Sequence, residues 1–110
     1  MSAKDRATAR KVLTDTRERL ADPARWCQGC GAVDRSGRPV PPRSTEATSW
    51  CILSAVGIES AEFDMTVYDL AIDSIADLTA DDRIARWNDS PGRTHAEVIA
   101  LLDKCIERLE

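Results

Sequence analysis

The sequence is poor in the residues that most often carry chemistry, and it lacks segments that place a chain in a membrane. It has one histidine, one tyrosine and one phenylalanine in 110 residues. No apolar run approaches the ~18 residues that a membrane-spanning helix needs. Residues 1–10 carry charges but no apolar segment of the kind found in secretory signals. We therefore expect a cytoplasmic protein without a membrane partner, in which the four cysteines are reduced thiols.

Strong signatures of a metal, a nucleotide or a catalytic site are also missing. Cys27 and Cys30 form a C-x-x-C pair, which begins many zinc sites, and Cys51, His95 or Cys105 would have to complete it. No second closely spaced pair follows, so we predict neither a metal nor another cofactor. We interpret His95 as a solvent-facing side chain rather than a catalytic base. Cys51 and Cys105 lie on apolar stripes, where free cysteine acts as a small buried hydrophobe.

The residues that are present fit one globular domain. Hydrophobic residues make up 43% of the chain and charged residues 31%, which is typical of a folded protein. Residues 1–43 hold 10 basic and 5 acidic side chains, whereas residues 44–110 hold 5 basic and 14 acidic ones. Eight acids and no base lie between Glu59 and Asp82. The net charge of −4 disfavours direct binding to nucleic acid.

Hydrophobic periodicity predicts a mainly α fold of about four helices. The first covers residues 3–21, the second runs from 44 or 45 to 57 or 58, the third covers about 64–78, and the last begins at 94. Gly57 is expected to end the second helix in a left-handed conformation. Residues 1–25 are thus an N-terminal helix, residues 26–43 a loop or hairpin arm that turns at 34–37, and residues 44–110 a helical core.

The third helix has an acidic outer face. Asp69, Asp73 and Asp77 follow one another at i+4 spacing, where like charges destabilise a helix by ~0.2–0.5 kcal/mol per pair. We expect the basic first helix to offset this repulsion. An acidic face is usually just solvated, and the alternative is a surface for a partner.

The last helix opens on a capping box, in which the Thr94 hydroxyl and the Glu97 carboxylate each bond a backbone amide. An arginine, exposed amides and the positive end of the helix dipole together suit a phosphate or another oxyanion. The alternative is a tight turn in which Asn88 and Asp89 cap neighbouring backbone. Trp26 and Trp87 flank turns, where a tryptophan either packs its ring or lines a pocket.

Four segments of the chain resemble a family of small uncharacterised bacterial and phage proteins, known only as a domain of unknown function. The segments are Trp26-Cys27-Gln28-Gly29, Asp34-Arg35-Ser36-Gly37, Ala47-x-x-Trp50-Cys51 and Trp87-Asn88-Asp89-x-x-Gly92-Arg93-Thr94-x-x-Glu97-Val98. The resemblance runs from Trp26 to the C-terminus, and the Trp-Asn-Asp turn is its most specific part. It implies a cytoplasmic accessory protein of phage or prophage origin, anti-defence being one such role, and it transfers no activity.

Our leading hypothesis is a non-enzymatic binding protein that captures a small anionic ligand, such as a nucleotide, near the turn before the last helix. Arg38 or Arg93 would supply charge, Thr94 a hydrogen bond and a tryptophan face the stacking. The predicted ligand-binding residues are Trp26, Arg38, Trp87, Asn88, Asp89, Arg93 and Thr94.

The alternative is a protein-interaction module whose surface is Asp69, Asp73 and Asp77 and which inhibits a partner or mimics nucleic acid. An enzyme of unknown class ranks third, and assembly of several copies of the chain is left open.

Overall fold

The structure, a computed structural model, describes residues 2–81 and 83–110, and helices dominate this part of the chain. The α-helices are α1 (Ala3–Arg19), α2 (Ile52–Glu59), α3 (Met65–Thr79), α4 (Ile84–Asp89) and α5 (His95–Arg108). Two strands, β1 (Ala32–Asp34) and β2 (Ala47–Trp50), pair in an antiparallel sheet. The prediction of a mainly α fold with a short hairpin or arm after the first helix is confirmed.

The core lies between α1 and the later helices, because α1 contacts α2, α3 and α5. Ala9, Val12, Leu13 and Thr16 form the buried stripe of α1, and the Thr16 hydroxyl donates to the Val12 carbonyl at 2.8 Å. Internal bonding of this kind lets a polar side chain sit in an apolar interior at little cost. The largest fully buried apolar side chains include Leu13, Leu20, Ile52, Ile75, Leu102, Val12, Val56 and Val98.

The second predicted helix is wrong in its N-terminal half. Residues 47–50 are strand β2, in which Trp50 pairs with Ala32 and Ser49 with Val33. The helix starts only after Cys51, whose sulfur accepts from the Ser54 amide at 3.4 Å. Alanine and tryptophan three positions apart satisfy a helical stripe. Residues 47–50 show no strand alternation of their own, because Ser49 and Trp50 are both buried, so it is pairing with β1 that makes them a strand.

The predicted stop of this helix is also wrong, because Gly57 stays within α2. α2 ends at Glu59, and its C-cap is Ser60, with a φ of −95° rather than a left-handed value. A left-handed C-cap is found on α3, at Ala80 with a φ of 54°. Gly37 does take a positive φ, 88°, in the turn of the arm. There the Asp34 carboxylate accepts from the amides of Ser36 and Arg38, so the predicted turn is confirmed.

The third and last helices begin where the sequence predicts. The Asp64 carboxylate accepts from the Thr66 and Val67 amides at 3.0 and 3.3 Å and caps α3. Thr94 caps α5 with both bonds of the capping box present. No helix within residues 2–81 and 83–110 combines the length and the apolar character needed to cross a bilayer.

Candidate functional site

The side chain of Asn88 is the centre of a buried polar cluster. It is fully buried at the end of α4, and its Oδ1 accepts from the indole nitrogen of Trp26 at 2.8 Å and from the amide of Ile52 at 3.1 Å. Its Nδ2 donates to the Cys27 carbonyl at 3.1 Å and to the Asp89 carboxylate at 2.9 Å. A side-chain amide has two donors and two acceptor sites, so Asn88 is fully satisfied. We call Trp26, Asn88 and Asp89 with these bonds the Asn88 cluster.

The loop that follows Trp26 is held against the same end of α4. The Asp89 carboxylate also accepts from the amide of Gly29 at 2.9 Å, where Gly29 has a φ of 86°. The amide of the Gln28 side chain donates to the carbonyls of Asn88 and Ser90 at 2.9 and 3.2 Å. These bonds join the arm, α2 and α4 at one point, which is what positions the turn before α5.

Arg93 and Thr94, predicted to bind an anion, bond to groups within the chain. The Arg93 guanidinium lies 3.8 Å from the ring centroid of Trp87, donates to the Trp87 carbonyl at 3.0 Å and pairs with Glu97 at 2.9 Å. The Thr94 hydroxyl accepts from the Glu97 amide at 3.2 Å. Bonds from Thr94, and then the Arg93 charge, hold the pKa of the Glu97 carboxyl below its usual value. The cation of this turn is therefore already paired.

Arg38 lies apart from the other predicted ligand-binding residues. It is exposed on the turn of the arm, and its backbone amide donates to Asp34 at 3.0 Å. In the described part of the chain, no hydrogen bond or ring contact joins its side chain to the Asn88 cluster. The structure thus brings six of the seven predicted residues together, and capture of an anion at this turn stays a prediction.

His95 does not face solvent, so our interpretation of it was wrong. Its Nε2 lies 2.6 Å from the Leu20 carbonyl oxygen at the end of α1, and its ring centroid is 6.3 Å from that of Trp26. A carbonyl only accepts, so Nε2 carries the proton. The carbonyls at a helix C-terminus have no partner within their helix. The first turn of α5 therefore places His95 where it satisfies one of them.

Burial leaves two of the four thiols, Cys27 and Cys105, less reactive than a free cysteine. Burial raises the pKa of the Cys27 thiol to about 11, and the neighbouring thiols of Cys30 and Cys51 add to the rise. Burial likewise raises the pKa of Cys105 to about 11. A thiol of this kind is protonated at neutral pH and is a poor nucleophile and metal ligand. Among the residues described, no three histidine, cysteine, aspartate or glutamate side chains meet in a way that could hold a metal ion.

The outer face of α3 differs from the Asn88 cluster, because its polar groups point outward without partners. Met65, Asp69, Asp73 and Asp77 are exposed at successive i+4 positions and form one row, which we call the α3 row. Within residues 2–81 and 83–110, the three aspartate side chains make no hydrogen bond and no ion pair. Met65 is 66% exposed. Its position one turn before Asp69 was visible in the sequence, but we did not include it in the predicted surface.

The basic side chains of α1 do not pair with this row, contrary to our expectation. Arg6 donates to the carbonyls of Arg108 and Leu109 at 2.7 and 3.2 Å. The other basic side chains of α1 in ion pairs contact α5, the C-terminal residue, α2 or α1 itself. These pairs are Arg17–Asp103, Arg10–Glu110, Arg19–Glu59 and Lys11–Asp15. The positive charge of α1 therefore compensates the C-terminal end of α5 and nearby acids rather than α3.

A groove runs beside the α3 row. It has a volume of about 440 Å³ and is bounded on one side by Leu70, Asp73 and Asp77 of α3. Its other side is formed by Arg6 of α1 and Arg108 at the end of α5. Both arginines line the same groove as Asp73 and Asp77, but neither forms an ion pair with them in the described part of the chain.

These features define a small, mainly α protein in which a buried asparagine ties a two-stranded arm to the helices, and in which one helix presents an acidic row. The chain belongs to the family of unknown function DUF6197, whose model matches residues 4–108. The match is longer than the resemblance that began at Trp26, since it includes nearly all of α1. No curated protein matches the chain, and no solved structure matches it.

Proposed function

We propose that this chain is a non-enzymatic protein-interaction domain whose working surface is the α3 row. The observation that carries the proposal is that Asp69, Asp73 and Asp77 are exposed and make no bond within the described residues. Three of the four other acids from Glu59 to Asp81 have a structural role. Asp64 caps α3, Glu59 pairs with Arg19, and Asp81 pairs with Arg86.

An unpaired row of this kind has an energetic cost for the free protein. Each i+4 pair of like charges destabilises a helix by ~0.2–0.5 kcal/mol, and within residues 2–81 and 83–110 no base of α1 forms an ion pair with the row. A partner that places cations opposite the row removes this repulsion as well as adding its own attraction. The cost in the free protein thus becomes part of the driving force for association.

The chemistry of the row favours a basic protein surface as the partner. Successive i+4 residues are separated by ~6 Å along a helix, so the three carboxylates span ~12 Å. Regularly spaced negative charge is what a nucleic-acid-binding surface attracts, so the row would occupy such a surface in place of phosphates. Met65, at the end of the row, adds apolar contact area that phosphates do not offer.

The remaining candidate chemistry supports a binding role over an enzyme. The thiols of Cys27 and Cys105 have pKa values raised to about 11. The ring nitrogen of His95 is bonded to a backbone carbonyl. Neither arrangement pairs a base with a nucleophile, which covalent catalysis requires.

The proposal is tested with two charge-reversal variants that change the net charge equally. The first carries Asp69→Lys, Asp73→Lys and Asp77→Lys. The control carries Glu18→Lys, Glu46→Lys and Glu107→Lys. These three exposed glutamates lie in α1, in the loop before β2 and in α5, and their side chains make no bond in the described part of the chain. Each protein is immobilised, incubated with extract of the source cell, and the retained proteins are identified by mass spectrometry.

We expect a basic protein that is retained by the native chain and by the control variant, but not by the α3 variant. Its dissociation constant should rise with salt concentration, because exposed charges are screened beyond ~8 Å at physiological ionic strength. Equal loss of the partner in both variants would show that only net charge matters. Retention by the α3 variant would overturn the proposal.

A further inference from the structure

A second groove lies at the start of α3, away from the Asn88 cluster. It has a volume of about 390 Å³, which is within the usual range for small-molecule sites. The end of α2, the loop after it, the first turn of α3 and one residue of the arm form its walls. The lining residues are Arg43, Gly57, Ser60, Ala61, Phe63, Asp64, Met65 and Tyr68.

Gly57 opens this groove, and the fold does not need a glycine there. It lies in α2 with no positive φ, so its backbone conformation is open to any residue. A Cβ placed on it would meet no atom within 4 Å, whereas a Cβ on Gly31 would come within 2.8 Å of the Ser54 hydroxyl. Glycine is also among the poorest helix formers. What the glycine does provide is bare backbone beside an open groove.

Much of the remaining lining is apolar and partly aromatic. Phe63 and Tyr68 are half-buried, and Met65 is 66% exposed beside them. Methionine sulfur and aromatic faces both make favourable contacts with aromatic rings. A flat ring that lies along Phe63 and Met65 would cover apolar surface that is now in contact with water.

One of the two charged side chains of the groove, Arg43, suits an anion at the rim. Arg43 is exposed and makes no hydrogen bond or ion pair in the described part of the chain. Its planar guanidinium matches a carboxylate with two parallel bonds. Asp64 also lines the groove, but its carboxylate is held by the amides of Thr66 and Val67 as the cap of α3. Of the two charged side chains that line the groove, only Arg43 is without a bonding partner in the described part of the chain.

We propose that this groove is a binding site for a small aromatic carboxylate. The ring would lie against Phe63 and Met65 over the bare backbone of Gly57, and the carboxylate would bond Arg43. The groove shares Met65 with the α3 row, but Asp69, Asp73 and Asp77 do not line it, so the charge variants of the row and the variants of the groove test the two proposals separately.

The test uses indole-3-acetate as the probe and indole-3-acetamide as its neutral match in shape. Binding is measured by calorimetry and by the shifts of the backbone amide signals of the native full chain. We expect the acetate to shift the amide signals of Gly57, Ser60 and Met65. We also expect it to bind at least about tenfold more tightly than the acetamide, because a hydrogen bond to a charged group contributes that much.

Three variants locate the binding. Gly57→Leu fills the groove and should abolish binding of both probes, while its melting temperature should not fall because leucine is the better helix former. Arg43→Gln should weaken the acetate at least about tenfold and leave the acetamide unchanged. Arg35→Gln removes another exposed arginine of the same arm, one that does not line the groove, and should change neither.

Each contrary result overturns the inference. Failure of the native chain to bind the acetate at millimolar concentration excludes the site. Equal affinity for both probes, or no effect of Arg43→Gln, excludes recognition of the carboxylate. Undiminished binding by Gly57→Leu shows that the probe lies elsewhere.

Discussion

The Asn88 cluster and the α3 row are both polar, and they use their polar groups in opposite ways. In the cluster, Asn88 makes four hydrogen bonds and is fully buried. No buried side-chain nitrogen or oxygen in the described part lacks a partner. In the row, three carboxylates face outward with none. The Trp-Asn-Asp turn, the most specific motif of the sequence, is thus bonded within the fold. The acidic face of α3 is the polar surface that is left without partners.

The largest effect is expected from Asn88→Ala. The change leaves the Trp26 indole N–H, the Ile52 amide and the Cys27 carbonyl without their partner. Buried unsatisfied groups cost ~1–3 kcal/mol each, and some will find water, so we expect the free energy of unfolding to fall by ~3–4 kcal/mol. Urea denaturation measures this.

Asp69→Ala is the matched control, because it removes an exposed polar side chain that makes no bond within the described residues. Its free energy of unfolding should stay within ~0.5 kcal/mol of the native value. If Asn88→Ala were as mild as this control, the cluster would not be the polar centre that we describe.

A smaller effect is expected from Thr94→Ala, which removes the hydroxyl of the capping box. Removal of such a cap costs about 1 kcal/mol, and thermal or urea unfolding will detect it. Thr14→Ala is the control, since Thr14 is exposed within α1 and only bonds back to the Arg10 carbonyl at 2.9 Å. Equal stability of the two variants would mean that α5 does not depend on its cap.

Neutralising the aspartates of the α3 row should raise the free energy of unfolding rather than lower it. Replacing Asp69, Asp73 and Asp77 by alanine removes two i+4 repulsions, each worth ~0.2–0.5 kcal/mol. Alanine is also the best helix former. We therefore expect the free energy of unfolding to rise at low salt, and the gain to shrink as salt screens the charges. A drop in stability at low salt would show that the aspartates are bonded in the fold after all.

The smallest effect concerns pH and Glu97. Bonds from Thr94 and the charge of Arg93 hold the pKa of the Glu97 carboxyl below its usual 4.5. A lowered folded pKa contributes stability that is present above pH 4.5 and is lost as the pH falls through the folded value. Glu97→Gln keeps the capping geometry but should lack this contribution. The difference in stability between native and variant should therefore shrink on acidification, and a difference that stays constant contradicts the assignment.

The helices that the sequence predicts well depend on local signals. α1, α3 and α5 each combine a buried stripe at helical spacing with a polar capping residue within a few positions. β2 was missed because its strand character comes from β1, which precedes it by a loop that includes three prolines. A pairing partner at that separation leaves no trace in the pattern of residues 47–50.

The candidate site could be predicted only in part, for the same reason. The sequence placed Trp26, Asn88 and Asp89 in one predicted ligand site with Arg38, Trp87, Arg93 and Thr94. The structure joins the first three by hydrogen bonds and leaves Arg38 apart from them. The sequence could not show that the Trp26 indole would bond Asn88, which lies 62 positions away, or that the Ile52 amide would need the same oxygen. The exposure of Asp69, Asp73 and Asp77 followed from helical spacing alone. Helical spacing did not show that the arginines of α1 would pair with acids of α5 and α2.

The proposed function requires that the α3 row binds a partner and that the turn before α5 does not. The most direct measurement is the dissociation constant of the recovered partner for two neutralising variants. One carries Asp69→Asn, Asp73→Asn and Asp77→Asn, and the other carries Arg38→Ala and Arg93→Ala. We predict at least about tenfold weaker binding by the first, because a hydrogen bond to a charged group contributes a factor of that order to affinity. The second should bind within about twofold of the native chain, because neither arginine belongs to the α3 row or lines the groove beside it. The reverse order, with a response of Trp26 or Trp87 fluorescence to added nucleotide, would contradict the proposal and favour the anion pocket instead.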